Sequence, residues 1–248
     1  MFTSNRVRCL AYGIAIVVFG SLSIAHAEPV SLATPAGLAA GAQFRFLFLT
    51  SGTQAATSTD IGNYNTFVNS QASGATYEGS VVNWKAVGST ATVNARDNVG
   101  GFGGNVPVYL TNGTKLAGDL TTSTSSKGLW SGTLFTTPTI GIDGNGVTTT
   151  FAFTGSNADG TGYPSGQLGA ASFVRYGDPT VNVGTFGWHF SINGMPDSFA
   201  VNFYGVSSEL TVPNAVPEID PAGMTSVLAL VTGALALIER RRLKAKVA

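Results

Sequence analysis

Short alternating apolar runs, separated by stretches rich in Gly, Ser, Thr and Asn, fill the middle of the chain and predict short strands more than long helices. In the firmest of them Phe44, Phe46 and Phe48 share one face and Leu47 and Leu49 the other. Arg45 apart, both faces are apolar, so this strand belongs inside a sheet and not at its edge. A helical period follows. Ile61, Tyr64, Phe67, Val68 and Ala72 make an i, i+3, i+6, i+7 stripe expected to face the core. Ser58 or Thr59 can cap its start, Asp60 suits the first turn, and Gly74 stands where the helix should stop. Strands are predicted at 81–87, carrying Trp84, and at 90–95. A hairpin at 106–116 is predicted to turn at Asn112-Gly113, and further strands are expected at 146–154, 180–192 and 199–212. In the last of these Phe199, Val201 and Phe203 alternate with Ala200, Asn202 and Tyr204. The glycine run 100–104 reads as a loop, because no Lys-Ser/Thr pair or helix follows it as phosphate binding would require. No repeat at a solenoid or propeller period is present, which predicts one α+β domain over 44–213.

The two ends carry other patterns. Arg6 and Arg8, an apolar run over 10–22 and then Ala25-His26-Ala27 read as a secretory signal peptide, 1–27, with cleavage before Glu28. Residues 28–43 are small and Pro/Gly-punctuated, an expected exposed arm. At the other end no charged residue falls between Pro221 and Ile238. At about 1.5 Å per residue this makes a helix of roughly 27 Å, a minimal transmembrane span. Arg240, Arg241, Arg242, Lys244 and Lys246 follow as a basic stop that stays on the cytoplasmic side, so the body is expected across the membrane, exported.

Charge and cysteine narrow the classes. Between 28 and 215 six basic residues stand against ten acidic ones, a net charge of −4. Nucleic acid is therefore not an expected partner, since phosphate binding needs clustered Lys and Arg. The one cysteine, Cys9, lies in the signal segment, so burial and not disulfides must hold the mature body together.

Two stretches have the donor types of a calcium loop: Asp143 and Asn145, and Asn157 and Asp159. No bidentate acid follows at EF-hand spacing, and Asp-Gly and Asn-Gly pairs are favoured turn residues, so plain turns and no cofactor are expected, with calcium as the alternative. His189 between Trp188 and Phe190 is the one mature histidine, without a Gly-x-Ser-x-Gly or His-Glu-x-x-His motif beside it. Asp60, Asp97, Asp119 and Asp178 could pair as glycosidase carboxylates, but ten scattered acids will always offer some pair. No enzyme is expected.

The tripartite end, Val216-Pro217-Glu218 with Pro221, the apolar span and the arginines, resembles the PEP-CTERM sorting signal of Gram-negative bacteria. That resemblance implies an exosortase-type processing protease as partner, a membrane-held intermediate, and delivery to the cell surface or extracellular matrix. A plain C-terminal anchor accounts for the span and the arginines alone. In the body, Phe46-Leu-Phe-Leu-Thr-Ser51, the helix from Asp60 to Ala72, Trp84-Lys-Ala86, Arg96-Asp97, Pro107 to Lys115 and Thr154 to Thr161 together resemble bacterial C-type-lectin-like or endostatin-like domains. The likeness implies helices against twisted antiparallel sheets with a long loop region before the final strand. Of the calcium-holding tripeptide of sugar-binding members only Met195-Pro196-Asp197 remains, and methionine cannot ligate the metal through oxygen. The function expected is a non-enzymatic surface or matrix role. The alternative is a carbohydrate-binding module for extracellular polysaccharide, stacking sugars on Trp130, Trp188 or Tyr163.

Overall fold

The computed structural model describes residues 29–101, 104–170, 173–182 and 194–214, with eight helical positions between 229 and 242. In chain order the elements are β1 (Ser31–Leu32), β2 (Gln43–Leu49), β3 (Gln54–Ala55), α1 (Ile61–Gln71), β4 (Thr76–Tyr77), β5 (Ser80–Val81) and β6 (Trp84–Ala86). Then come α2 (Ala95–Asn98), β7 (Val108–Leu110), β8 (Lys115–Ala117), β9 (Ala152–Phe153), β10 (Val174–Gly177), β11 (Gly194–Met195), β12 (Ala200–Val201), β13 (Tyr204–Ser207) and β14 (Leu210–Thr211). Among the described residues the fold is mixed α and β, mostly strands, in sheets that do not close into a barrel.

The doubly apolar strand sits where its pattern demands. β2 is central in the largest sheet, order β6-β13-β2-β7-β8, antiparallel to β13 and parallel to β7, and β14 pairs with its first residues. Its phenylalanines and leucines divide the core. Phe44, Phe46 and Phe48 join Tyr64, Val68, Trp84, Phe153 and Phe203 on the face that α1 covers. Leu47 and Leu49 join Val108, Leu116, Leu129, Trp130, Leu134 and Val206 on the other. Each such buried side chain contributes about 1.5–3 kcal/mol, so a cysteine-free body of this size can be held by burial. Phe48 meets Trp84 edge-on with centroids 4.8 Å apart, and Phe44 meets Phe46 at 5.2 Å, the geometry the ring quadrupoles favour.

Arg45 shows why a charged residue can sit in such a strand. β13 places Val206 opposite Leu47, whereas β14 places Leu210 opposite Phe44, so the returning strand carries one extra residue between them. Within that bulge the Phe46 amide donates to Ser207 Oγ at 2.9 Å. The Arg45 guanidinium, only 6% exposed, donates to the carbonyls of Ser207 and Val99 at 2.9 Å and of Gly100 at 3.4 Å.

Helix α1 carries the predicted stripe: Tyr64, Val68 and Ala72 are buried, and Ile61 and Phe67 pack against the same core. Its cap differs from expectation. Asp60 itself is the N-cap, accepting from the Gly62 amide at 2.8 Å, while Ser58 Oγ accepts from the Asp60 amide. Gly74 follows the helix end at φ +70, the left-handed conformation that glycine tolerates. The polar face of α1 does a second job. Asn69 accepts from the Trp84 amide at 3.0 Å and donates to the Trp84 carbonyl, and Asn65 accepts from the Ala86 amide at 2.8 Å. Asn98 of α2 donates to the Ala86 carbonyl and to Asn65. Three asparagines thus pair the outer edge of β6 as a further strand would, which an edge left bare would lack.

Other expectations change. Residues 29–42 are no exposed arm: β1 pairs in parallel with β4, Leu32 is 5% exposed, and Val30, Leu38 and Ala42 pack on the core. The 90–95 strand is replaced by a bridge from Thr90 to Leu168 and the start of α2, whose Ala95 amide donates to Ser89 Oγ. The hairpin forms but turns differently. Leu110 accepts from the Gly113 amide and donates to Thr114, and Gly113 alone has positive φ, +85, so the loop is three residues with a bulge and not a two-residue Asn-Gly turn. Of 146–154 only β9 is a strand. Of 180–192 the described residues Thr180, Val181 and Asn182 lie outside any strand, and 183–193, with Trp188 and His189, lie outside the described residues. β10 was not anticipated. In the last strands Phe199 is 55% exposed while Asn202 and Tyr204 are buried beside Val201 and Phe203, because Asn202 turns inward to donate to the Thr50 carbonyl.

The signal segment with Ala25, Ala27 and Glu28, the motif Val216, Pro217, Glu218 and Pro221, and Arg240, Arg241, Lys244 and Lys246 lie outside the described residues. Leu230, Leu235, Leu237, Ile238 and Arg242 are helical and exposed. Among the described residues no helix is long and apolar enough to cross a membrane.

Candidate functional site

The two candidate calcium stretches fold as separate turns, each of which hydrogen-bonds its own carboxylate. Asp143 accepts from the Asn145 amide at 3.1 Å and from its side chain at 2.8 Å. Those hydrogen bonds, side chain first, hold the Asp143 carboxyl below its ordinary range. Gly141 donates to the Asn145 carbonyl to close that turn. In the second stretch Asp159 accepts from the amide and hydroxyl of Thr161 at 3.0 and 2.6 Å, and Asn157 donates to Thr161 Oγ1. This turn buttresses α2. The Arg96 amide donates to Gly160 O, and a Cβ on Gly160 would lie 2.6 Å from the Trp130 ring, so only glycine fits between them. One carboxylate per turn falls well short of the six to eight oxygens that calcium takes, and the residues present do not fit the ion. Among the described residues no group of three or more His, Cys, Asp or Glu could hold a metal.

The other acids also cap turns. Asp60 caps α1, Asp97 accepts from Asn94, and Asp178 accepts from the amide and hydroxyl of Thr180 at 2.9 and 2.6 Å. Asp119 is the buried one, 7% exposed. Burial pushes its carboxyl up, but hydrogen bonds from the Ser126 and Thr121 side chains and the Thr121 amide, with the charge of Lys115, outweigh it and hold the group below the usual carboxylate range. Tyr64, whose hydroxyl donates to the Ser58 carbonyl at 2.8 Å, is pushed up to about 12, chiefly by burial.

Of the aromatics nominated for sugar stacking, Trp130 is 1% exposed and belongs to the core, so it cannot meet a ligand. Tyr163 does lie on a groove, of about 480 Å³, which its ring shares with Phe173 and Arg175. The Arg175 guanidinium stands 4.2 Å from the Tyr163 ring centroid, and Phe173 is 56% exposed. Backbone contacts build the floor. The Arg175 amide donates to Gly166 O at 2.8 Å and its carbonyl accepts from Gly155 and Thr154. A Cβ on Gly166 would lie 2.9 Å from both Arg175 Cγ and Tyr163 Cδ1, and one on Gly194 2.9 Å from Phe173 Cβ, so the two glycines let the rings and the guanidinium approach. Phe173 and Arg175 escaped the sequence reading. The signal was there in Phe173-Val-Arg-Tyr176, a short alternation that Pro179 and the glycines around it obscured.

A second groove, of about 490 Å³, runs between residues 30–36 and the turns at 111–113 and 142–144, with Asp143 on its rim. It carries no aromatic ring. No family model matches the chain, and no curated protein matches it.

Proposed function

We propose that this chain is an exported surface or extracellular-matrix protein whose body, a C-type-lectin-like interaction domain, is not an enzyme and is sorted through its 216–246 tail. The observation that carries the reading is where the body closes. Val212 donates to Ala42 O and accepts from the Gly41 amide, both at 2.9 Å, and β14 lies on the central strand. Val216-Pro217-Glu218 begins four positions later, so a protease acting at that motif removes no strand of the sheet. The lectin-like assignment is supported by α1 packed on the sheet and by the neighbourhood of the first long strand and the last. An exosortase-type protease reads the fixed φ of Pro217 and the charge of Glu218. Expressed in the native host, the wild type should lose its tail, and the Pro217→Ala, Glu218→Ala double variant should accumulate as a membrane-held precursor. Identical C-termini by mass spectrometry would leave a plain transmembrane anchor instead.

A second reading, binding of extracellular polysaccharide, is favoured by the Tyr163–Arg175–Phe173 groove, since a ring offers a face to sugar C–H groups and a guanidinium donates to hydroxyls. A glycan array with and without calcium tests it. Binding lost in Tyr163→Ala supports this reading, and no binding in either condition leaves the structural role alone.

A further inference from the structure

We propose that Phe135, Lys115 and Lys127 form a second ligand site, independent of the Tyr163 groove, that takes the carboxylate of an acidic polysaccharide such as a polyuronate. Two ammonium groups converge on one exposed ring: Lys127 Nζ stands 4.8 Å and Lys115 Nζ 5.5 Å from the Phe135 centroid, and the ring is 45% exposed. Among the described residues neither ammonium has a carboxylate within salt-bridge distance, so both charges are open to an anion. The acid whose charge reaches Lys115, Asp119, is buried and already accepts from Thr121 and the Ser126 side chain.

The backbone holds all three residues in place. Lys115 lies in β8 opposite Tyr109, Phe135 donates its amide to Leu116 O at 2.9 Å, and Lys127 accepts at its carbonyl from Gly118 at 3.1 Å. Gly118 and Gly128 allow this closeness, since a Cβ on either would lie 2.1 and 2.2 Å from the Ser126 and Thr121 carbonyl oxygens. Lys127 itself sits at φ +50, a conformation that costs a non-glycine residue energy and is kept only where surrounding contacts impose it. Two ammoniums beside one exposed apolar ring suit a ligand with one carboxylate per ring and apolar C–H edges. It suits nucleic acid poorly, whose denser charge meets a net repulsion from this body.

Purified full-length protein in detergent should bind polygalacturonate and not dextran. Raising salt from about 0.05 to about 0.5 M should weaken that binding strongly, since the Debye length falls from about 14 to about 4 Å and an exposed charge pair is then screened. Lys115→Gln with Lys127→Gln should reduce affinity at least about tenfold, roughly 1.4 kcal/mol, with an unchanged melting temperature. Phe135→Ala should weaken it as well. Equal binding of dextran, equally tight binding of single-stranded DNA, or a folded double variant that binds polygalacturonate like the wild type would overturn the proposal. If the variants do not fold, salt-insensitive binding by the wild type overturns it. Because residues 240–246 carry five cations of their own, the deciding comparison is the double variant against wild type, both with the tail intact.

Discussion

The guanidinium of Arg45 donates to the carbonyl oxygen of Ser207 at 2.9 Å, across the bulge where the central strand and the returning strand lose register. Burial lowers the arginine's pKa, and the nearby charge of Glu209 partly restores it. Its ordinary value is so high that the group stays charged throughout the working range. Arg45→Ala strands the buried Val99 and Ser207 carbonyls together, so about 2–4 kcal/mol of stability should be lost. Urea denaturation measures it, and a loss below about 0.5 kcal/mol would mean that water replaces the guanidinium.

The asparagines of α1 that pair the edge of β6 make a second test. Asn69→Leu keeps the volume but leaves the Trp84 amide and carbonyl without partners, and should cost about 2–3 kcal/mol. Amide exchange at Trp84 should accelerate in step with the loss, and unchanged protection there would contradict the pairing.

Asp119 predicts part of the acid limb. Its folded pKa is depressed, so its contribution is fully present above the ordinary carboxylate pKa, about 3.9, and is lost as pH falls through the lower folded value. Asp119→Asn should lower stability near neutral pH by about 1 kcal/mol, because charge-assisted bonds from Thr121 weaken. It should also flatten the dependence of stability on pH below about 4. Parallel curves for variant and wild type would show that the carboxylate is not depressed.

Chelation tests the turns. A ligand bound only by the folded state stabilises it by about 2.7 kcal/mol at a hundredfold excess over its Kd. Because each turn supplies one carboxylate, already hydrogen-bonded within the turn, the melting temperature in EDTA should match that in calcium. A drop of several degrees in EDTA would require a site built from other residues.

Gly205 offers a test of packing on the central strand. A Cβ there would lie 2.4 Å from Phe48 Cε1, so Gly205→Ala must push the Phe48 ring off Trp84. Overpacking of this kind costs about 1–3 kcal/mol, and thermal melting of the variant against wild type measures it.

By itself the sequence determined what depends on neighbours along the chain. Period two with apolar residues on both faces made 43–49 a central strand, period 3.6 with a glycine stop made α1, and Asn112-Gly113 made a hairpin, because pleat, helical pitch and turn preferences act within a few residues. At the two ends charge and apolar run length set only expectations of processing segments. Only the tertiary structure decided the rest. That Trp130 is core while Tyr163 lines a groove, that Ser31–Leu32 pairs with Thr76–Tyr77, that Arg45 is buried in a bulge, and that Lys115, Lys127 and Phe135 meet, all follow from pairings between residues far apart in sequence. No local period encodes those pairings. They are set by which buried polar groups must find partners once the two faces of β2 have been covered.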